Sequence, residues 1–323
     1  MRKWILCLAA AMVSATLLAP NAWSQAWPTK PIRLIVPYTA GGLSDVFARL
    51  IADRLARILG QSVIVDNRPG GNTLIGTQVT AQAAPDGYTL LLTNAALSIN
   101  QHLVPNLPYD LNKDLAPVIH LGESYGLIFV HPAFPAKTLQ EMITVVKAEP
   151  GRHGVAVPGL GTNYRIAVEQ LKEIAGINVL MIPYKGSSQS ITDVLAGQVP
   201  IGIDSLVPLA PQVKDGKLRA LAVLSPSRAP LLPDVPTTAE AGLPDVVMYA
   251  YNALLAPGGT PRPVIDKINS AVNEVLVMPD VVAQAQVLGL LLGGGSPEKL
   301  KGVIDKVTGI YGQVVKSANI KPE

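Results

Sequence analysis

Hydrophobic and polar positions along the chain follow two alternating patterns. Short runs of β-branched and other apolar residues, such as Ile32–Val36, are typical of buried strands. The segments between them repeat apolar residues every three to four positions, and over 45–59 this apolar face consists of Val46, Phe47, Leu50, Ile51, Leu55, Ile58 and Leu59. The alternation of strands with amphipathic helices predicts an α/β fold.

Two stretches of the chain show the same order of predicted elements. The first has strands over 32–36, 62–66, 88–93 and 116–121 and helices over 45–59 and 73–83. The second has strands over 155–157, 178–182, 199–205 and 218–225 and helices over 163–175 and 189–195. Two copies of one α/β order predict two lobes of similar build, each with a parallel sheet covered on both faces.

The connections between these lobes predict a hinged molecule. The chain crosses to the second lobe near GESYGLIFVHP and returns near VVMYAYNALLAP. Three further helices, predicted over 263–276, 280–288 and 297–315, are assigned to the first lobe. We therefore expect a first lobe of residues 27–124 and 248–323 and a second lobe of residues 125–247, which can close on each other.

The N-terminal segment has the composition of a secretory signal peptide. Arg2 and Lys3 precede an apolar run, and small residues follow at Ser24 and Ala26. We expect cleavage after Ala26, with cleavage after Ser24 as the alternative. Residues 1–26 are therefore predicted to be removed from the mature chain.

Composition limits the compartment and the class of partner. The one cysteine of the 323 residues is Cys7, inside the predicted signal peptide, so the exported chain would have no disulfide. The formal net charge is only +3, and no basic stripe interleaved with aromatic residues is present, so nucleic-acid binding is not expected. No other segment is apolar enough to span a bilayer. We expect a monomer in a soluble compartment outside the inner membrane of a bacterium, without stable membrane insertion of the mature chain.

Glycine-containing loops precede the first helix of each predicted lobe. Gly41 and Gly42 lie before the first helix, and PGLG lies before its counterpart in the second lobe. Both helices are expected to begin at the carboxyl end of their sheets, with Ser44 and Thr162 as N-caps. The first amide N–H groups of a helix have no intrahelical partner and carry partial positive charge. Two such ends facing one cleft would suit a small carboxylate.

These features also have simpler interpretations. A glycine after a strand often only allows a tight turn. GLGTNY has two glycines of a dinucleotide-binding fingerprint but Tyr164 in place of the third, which disfavours nucleotide binding. Asp45 would repel a bound anion, and it could instead stabilise the helix start or accept a hydrogen bond from the ligand. Asp204, at a strand end, is the best acidic candidate for the pocket, although aspartate there is commonly a turn former.

Catalytic and metal-binding motifs are not evident in the sequence. The 4 histidines have no metal-like spacing, and there is no nucleophile elbow, phosphate loop or cysteine nucleophile in the mature chain. Ser187, Ser188 and Ser190 fit turn and cap positions, and Lys185 fits a solvated position beside the cleft. We therefore expect no catalytic residue, no metal and no cofactor.

Several long motifs occur in order along the mature chain. They are WPTKPIRLIVPY, LGQSVIVDNRPGG, APDGYTLLLT, LPYDLNKDLAPV, HPAFPAKTL, IPYKGSSQSITDVLAGQV, DGKLRALAVLSPSRAPLLPDVPTTAEAGLPD and LLAPGGTP. This set resembles the Bug family of periplasmic solute-binding receptors, which are the substrate-binding components of tripartite tricarboxylate transport systems. The resemblance implies an α/β fold with the two-lobed architecture of periplasmic binding proteins (type II-like, also called Venus-flytrap). The ligand cleft would lie between the lobes. It also implies a small organic carboxylate (di-, tri- or aromatic) as ligand and membrane transporter subunits as partners.

The resemblance further implies that the two glycine-containing loops hold the ligand carboxylate, largely through backbone groups and bound waters. In the first lobe the implied contacts are Tyr38, Thr39, Gly42, Leu43, Ser44 and Asp45. In the second lobe they are Gly159, Leu160, Gly161, Thr162 and Asn163. The predicted wall of the cleft is completed by Asn94, Ala95, Tyr184, Lys185, Gly186 and Asp204.

The leading hypothesis is a non-catalytic periplasmic receptor that captures a small organic carboxylate in the cleft and delivers it to a tripartite tricarboxylate-type transporter. One alternative is a secreted α/β hydrolase with an unrecognised acid–base pair, and loss of turnover on Asp204→Asn or Asp45→Asn would favour it. Another is a ligand sensor that presents its closed form to a signalling partner. The sequence leaves the identity of the acid open.

Overall fold

The computed structural model describes residues 27–124, 126–159, 162–248 and 250–318, together with Ile320. The predicted signal peptide, residues 1–26, lies outside the described residues. None of the described helices combines the length and apolar composition that a membrane crossing requires.

The first part of the chain contains β1 (Ile32–Val36), α1 (Leu43–Leu59), β2 (Val63–Asn67), α2 (Leu74–Ala81), β3 (Thr89–Asn94), α3 (Ala96–Leu103) and β4 (Leu115–Ser124). The middle part contains β5 (Gly126–Val130), α4 (Leu139–Ala148), β6 (Gly154–Val157), α5 (Asn163–Ala175), β7 (Leu180–Pro183), α6 (Ser187–Leu195), β8 (Ile201–Ser205), α7 (Leu206–Lys214) and β9 (Arg219–Val223). The last part contains β10 (Tyr251–Pro257), α8 (Arg262–Leu276), α9 (Pro279–Val287), β11 (Leu290–Leu292) and α10 (Pro297–Ser317).

The strands form two sheets with equivalent orders. One sheet has the order β11-β4-β10-β3-β1-β2, and the other has the order β7-β6-β8-β5-β9. Apart from β11, the strands correspond one to one, with β1, β2 and β3 matching β6, β7 and β8. We call the six-stranded sheet with α1–α3 and α8–α10 the first lobe, and the five-stranded sheet with α4–α7 the second lobe. The predicted two-lobed α/β fold is confirmed.

The prediction of purely parallel sheets is wrong. β10 is antiparallel to both β3 and β4, and β5 is antiparallel to both β8 and β9. Both antiparallel strands enter their sheet directly from the other lobe, so they run against the strands of the local α/β units. β11, which pairs with β4, is also antiparallel. The exact lobe boundaries stay a prediction.

Six of the described elements were not predicted, namely the helices α3, α4 and α7 and the strands β5, β10 and β11. Helix α3 has eight residues and follows β3 after a single residue, so its pattern merges with that of the strand. Helix α7 carries Pro208 and Pro211, and an internal proline normally argues against a helix. Strand β11 is only three residues long, which is too short to show a period.

Apolar clusters cover both faces of each sheet. In the first lobe, one cluster joins β1 to α1 and α8, and another joins β3 and β10 to α3 and α10. In the second lobe, one cluster packs on α4 and α5, and another packs on α6 and α7. Burial of each large apolar side chain contributes about 1.5–3 kcal/mol, so each lobe has a core that fixes its helices against its sheet.

The two lobes also contact each other directly. Ile166, in α5 of the second lobe, is 2% exposed and packs in the cluster that contains Leu300 and Ile304 of α10. The Ser317 hydroxyl at the end of α10 donates a hydrogen bond to Glu173 Oε2 in α5, at 2.8 Å. These contacts hold α5 of the second lobe against α10 of the first.

A second contact between the lobes depends on Gly289. This residue follows α9 with φ of 65°, and a Cβ atom built on it would lie 2.2 Å from Val207 Cγ2 in α7 of the second lobe. The left-handed backbone and the close approach both favour glycine. We infer that the missing side chain sets how closely α9 and α7 approach.

The variant Gly289→Ala is therefore expected to lose more stability than an alanine substitution at another glycine that has a similar positive φ but no close neighbour. Gly176→Ala is the matched control, because Gly176 has φ of 61° and no neighbouring atom within 4 Å of a built Cβ. We expect the control to lower the free energy of unfolding by about 1–2 kcal/mol. Gly289→Ala should lower it by about 1–3 kcal/mol more, because Val207 must move. Urea denaturation measures both, and equal losses would contradict a steric contact between the lobes.

Candidate functional site

Four helices begin at one cavity between the lobes. Helices α1 and α3 follow β1 and β3, and α5 and α7 follow β6 and β8, so all four start at the carboxyl ends of parallel strands. This edge is where α/β sheets bind ligands. The cavity has a volume of about 240 Å³ and is lined by Tyr38, Leu43, Ser44, Asn72, Asn94, Ala95, Ala96, Ile99, Ser124, Thr162, Asn163, Tyr164, Ser205, Ala250 and Asn252.

The start of α1 lacks a side-chain cap. Gly42 is the N-cap, in an extended conformation with φ of −78°, and none of the described side chains caps the first amides. The prediction that Ser44 is the N-cap is wrong, because the helix begins at Leu43 and Ser44 is its second residue. Leu43 and Ser44 both line the cavity. The first-turn amides of α1 therefore lie at the cavity wall without an intrahelical partner.

Asp45 stabilises the loop before α1 and is not among the residues that line the cavity. Its carboxylate is 3% exposed and accepts hydrogen bonds from the Gly41 amide at 2.8 Å, from Arg49 Nε at 3.0 Å and from Asn67 Nδ2 at 3.0 Å. The hydrogen bond from Arg49, opposed by desolvation, lowers the pKa of Asp45 to about 2. Because Arg49 forms an ion pair with this carboxylate, the negative charge of Asp45 is compensated locally.

The start of α5 is similar to that of α1. Thr162 occupies the N-cap position as predicted, but its side chain caps no amide. Its hydroxyl instead donates to the Gly159 carbonyl at 2.9 Å, which fixes the loop after β6. Thr162 and Asn163 line the cavity. The predicted contacts Leu160 and Gly161 lie outside the described residues.

The starts of α3 and α7 already have acceptors from the protein itself. Asn94 Oδ1 accepts from the Ala96 amide at 3.0 Å, at the first residue of α3. Asp204 Oδ1 accepts from the Ser205 amide and from the Ser187 hydroxyl, both at 2.7 Å. Asp204 is fully buried, and burial raises its pKa to about 6. Among the described groups, nothing donates to its Oδ2 atom.

The structure brings together seven of the predicted contact residues at the cavity wall. They are Tyr38, Leu43, Ser44, Asn94, Ala95, Thr162 and Asn163. Thr39, Gly42 and Gly159 belong to the same loops but do not line the cavity. Whether any of these residues contacts a ligand stays a prediction.

The remaining predicted residues, around the start of α6, are placed differently. The Tyr184 hydroxyl donates to Asp193 Oδ2 at 2.7 Å, Lys185 is exposed, and Gly186 is the N-cap of α6. Neither these three residues nor Asp204 line the cavity. Asp204 lies at the end of β8 and accepts a hydrogen bond from Ser187 at the start of α6. It therefore joins these two elements without lining the cavity.

Eight of the described residues that line the cavity were not predicted. They are Asn72, Ala96, Ile99, Ser124, Tyr164, Ser205, Ala250 and Asn252. Ser124, Ala250 and Asn252 lie in the two segments that the sequence identified as crossings between the lobes, so their position at the hinge could have indicated them. Ala96 and Ile99 belong to α3, which was missed as a helix.

The wall of the cavity is neutral and polar at its helix starts. None of the described residues that line it has a charged side chain. Within the described ranges, no group of three or more His, Cys, Asp or Glu residues could hold a metal ion. Anion recognition in this cavity would therefore depend on backbone amides, hydroxyl groups and side-chain amides.

This arrangement, with two α/β lobes, two crossing connections and a cleft lined by helix starts, is that of a bilobed solute-binding protein. The model of the tripartite tricarboxylate transporter family receptors matches residues 47–306, and the chain belongs to that family. Its members are solute-binding receptors, not enzymes.

Individual relatives extend over nearly the whole chain. The protein BugT of Bordetella pertussis is 35% identical over 312 residues, which are 96% of this chain and 95% of BugT. An R. palustris protein solved with adipate is 32% identical with a TM-score of 0.79, covering 92% of this chain and 100% of that one. MatC from Rhodopseudomonas palustris, solved with bound malate, is 31% identical with a TM-score of 0.74, covering 90% of this chain and 100% of MatC.

The compensated charge of Asp45 predicts a specific dependence of stability on pH. Because the pKa of Asp45 is lowered in the folded state, its contribution is fully present above about pH 4 and is lost as the pH falls toward 2. We expect this contribution to be on the order of 1–2 kcal/mol, since Arg49 is half exposed and solvent screens the pair.

The free energy of unfolding of Asp45→Asn should therefore decrease less between pH 5 and pH 2 than that of the unsubstituted protein. Urea denaturation at each pH measures this difference. Asp53→Asn in the same helix is the matched control, because the Asp53 side chain is 52% exposed and an exposed ion pair contributes little. A pH profile of Asp45→Asn that matches the profile of the unsubstituted protein would contradict this account.

Proposed function

We propose that this chain is a periplasmic receptor that captures a small organic carboxylate in the cavity between its lobes and delivers it to a tripartite tricarboxylate-type transporter. The observation that carries the proposal is the meeting of two uncapped helix starts, one from each lobe, at a single cavity. Membership of a family of transporter receptors supports the transport role.

The energetics of these helix starts suit an anion. Each helix N-terminus stabilises a nearby anion by about 0.3–1 kcal/mol, and by more when the site is partly buried. Each charge-assisted hydrogen bond from a backbone amide adds about 1.5–3 kcal/mol. A few such bonds, together with contacts to Ala95, Ile99 and Ala250, would supply the roughly 8 kcal/mol of micromolar binding without any arginine.

Relatives with bound acids support the chemical class of the ligand. Two similar structures carry adipate and malate, which are small organic acids. The cavity of about 240 Å³ lies just below the usual range for ligand pockets, which is about 300–1,000 Å³. A small acid is the ligand of matching size and charge.

Binding between the lobes would couple recognition to closure. A ligand that contacts Ser44 of the first lobe and Asn163 of the second gains both sets of contacts only when the lobes are apposed. Its affinity for the closed form then exceeds its affinity for the open form, which is the requirement for a ligand to shift such an equilibrium. The closed form would be the one presented to the membrane subunits, and export by the predicted signal peptide would place the receptor in the periplasm.

Isothermal titration calorimetry against a panel of di-, tri- and aromatic carboxylic acids, each with its amide as an uncharged counterpart, tests the proposal directly. We expect at least one acid to bind with a dissociation constant in the micromolar range or below, and its fully amidated counterpart to bind far more weakly. Failure of every acid to bind would reject the proposed function.

A negative charge placed at the start of α5 should weaken this binding. Asn163→Asp changes one cavity-lining residue at the first helical position, where aspartate favours the helix itself, so the fold should persist. We expect the affinity for the acid to fall at least tenfold, or about 1.4 kcal/mol. Asn178→Asp, an exposed position just beyond the other end of α5, adds the same charge away from the cavity and should change the affinity little. Equal effects of the two variants in calorimetry would argue against recognition by this helix start.

A further inference from the structure

The cavity has two ends that differ in the hydrogen-bonding groups that the protein presents to a ligand. The strand order places α1 and α5 one strand further from the crossing strands than α3 and α7, because β1 and β6 lie outside β3 and β8. We call the part lined by Leu43, Ser44, Thr162 and Asn163 the outer end. We call the part lined by Asn94, Ser124, Ser205, Ala250 and Asn252 the hinge end, since β3, β10, β4 and β8 meet the crossings there.

Only the outer end leaves helix starts open to an anion. At the hinge end, Asn94 Oδ1 already accepts from the first amide of α3. Asp204 Oδ1 accepts from the amide of Ser205, so the positive end of α7 faces a carboxylate of the protein itself. Pro208 removes a further amide donor from the first turn of α7. A second ligand carboxylate at the hinge end would therefore find few free amides and would be repelled by Asp204 when that residue is ionised.

The described wall of the hinge end carries no cation that could compensate for this. None of the described lining residues is basic. The internal residues outside the described ranges do not include a lysine, arginine or histidine either, because they are Tyr125, Leu160, Gly161, Tyr249 and Asn319. At an end that has neither a counter-charge nor free helix amides, burial of an ionised group is strongly unfavourable.

The hinge end instead presents a buried side-chain amide. Asn252 is 4% exposed and lines the cavity from β10, opposite Asn94 in the register of β10 and β3. Its Nδ2 atom makes only a long contact of 3.4 Å with Ser124 Oγ, and no group in the described part of the chain donates to its Oδ1 atom. A nearly buried amide with unused hydrogen-bonding capacity, at the wall of a cavity, indicates a neutral polar ligand group at that point.

We propose that the ligand carries a single carboxylate, bound at the outer end, and an uncharged hydrogen-bonding group such as an amide or hydroxyl, bound at Asn252 at the hinge end. This proposal rests on the proposed function and adds the chemical class of the acid. It separates this chain from relatives solved with adipate and malate, since both of those ligands are dicarboxylates.

Matched ligand pairs test this proposal on the full mature chain. The pairs are succinate with succinamate, glutarate with glutaramate, adipate with adipamate, and terephthalate with its monoamide. In each pair an amide replaces one carboxylate at nearly constant shape. Calorimetry should show that the half-amide binds at least tenfold more tightly than the diacid in the pair of suitable length.

The possible results separate the two proposals. A diacid that binds as tightly as its half-amide, or citrate binding more tightly than every monocarboxylate, would overturn the single-charge ligand and leave the proposed function intact. Failure of every acid in the panel would overturn both. If simple monocarboxylic acids, which have no second polar group, bind more tightly than all the half-amides, the hydrogen-bonding role of the hinge end would be overturned.

A substitution assigns the effect to Asn252. Asn252→Leu keeps the approximate size and removes the amide, so the ratio of half-amide affinity to unsubstituted-acid affinity should fall at least fivefold toward one. If the substitution only disrupts the fold, the affinities for the half-amide and for the unsubstituted acid should fall together and their ratio should stay unchanged. An unchanged ratio would contradict a positioning role for the Asn252 amide. Asn178→Leu, at an exposed site remote from the cavity, is the matched control and should keep the ratio of the unsubstituted protein.

Discussion

Backbone amides at the first turn of a helix have no acceptor within the helix, and in this protein two such helix starts meet at one cavity between the lobes. Parallel strands end at one edge of each sheet, and the helices that follow begin there. Because the two lobes have the same strand order, the starts of α1 and α5 come to the same cavity from opposite sides. Within the described part of the chain no side chain caps either start, so a bound anion would complete their hydrogen bonding.

The two acidic residues nearest the helix starts, Asp45 and Asp204, do not line the cavity. Asp45 lies in the first turn of α1, but Arg49 and Asn67 hold its carboxylate away from the cavity wall and compensate its charge. Asp204 is buried behind the wall, where it accepts from Ser187 and Ser205. One carboxylate therefore stabilises a loop and the other joins two elements of the second lobe, and neither occupies the position of a ligand.

The sequence predicted the architecture better than the cavity. Collinear strands and helices, with glycine after β1 and β6, were sufficient for the two lobes and for the two main helix starts. The antiparallel β5 and β10 were missed because alternation of elements does not show from which lobe a strand enters. Helices α3 and α7 are short, and the prolines of α7 argue against a helix, so residues such as Ala96 and Ser205 were absent from the predicted wall. Asn252 was missed because a single amide in an otherwise apolar strand carries no periodic signal.

The central claim is that backbone amides from both lobes, and not basic side chains, hold the carboxylate. A crystal structure of the protein with a bound acid tests this most directly. The account predicts ligand carboxylate oxygens within about 3.2 Å of first-turn amides of both α1 and α5. A carboxylate paired with a lysine or arginine, or bound to only one lobe, would contradict it.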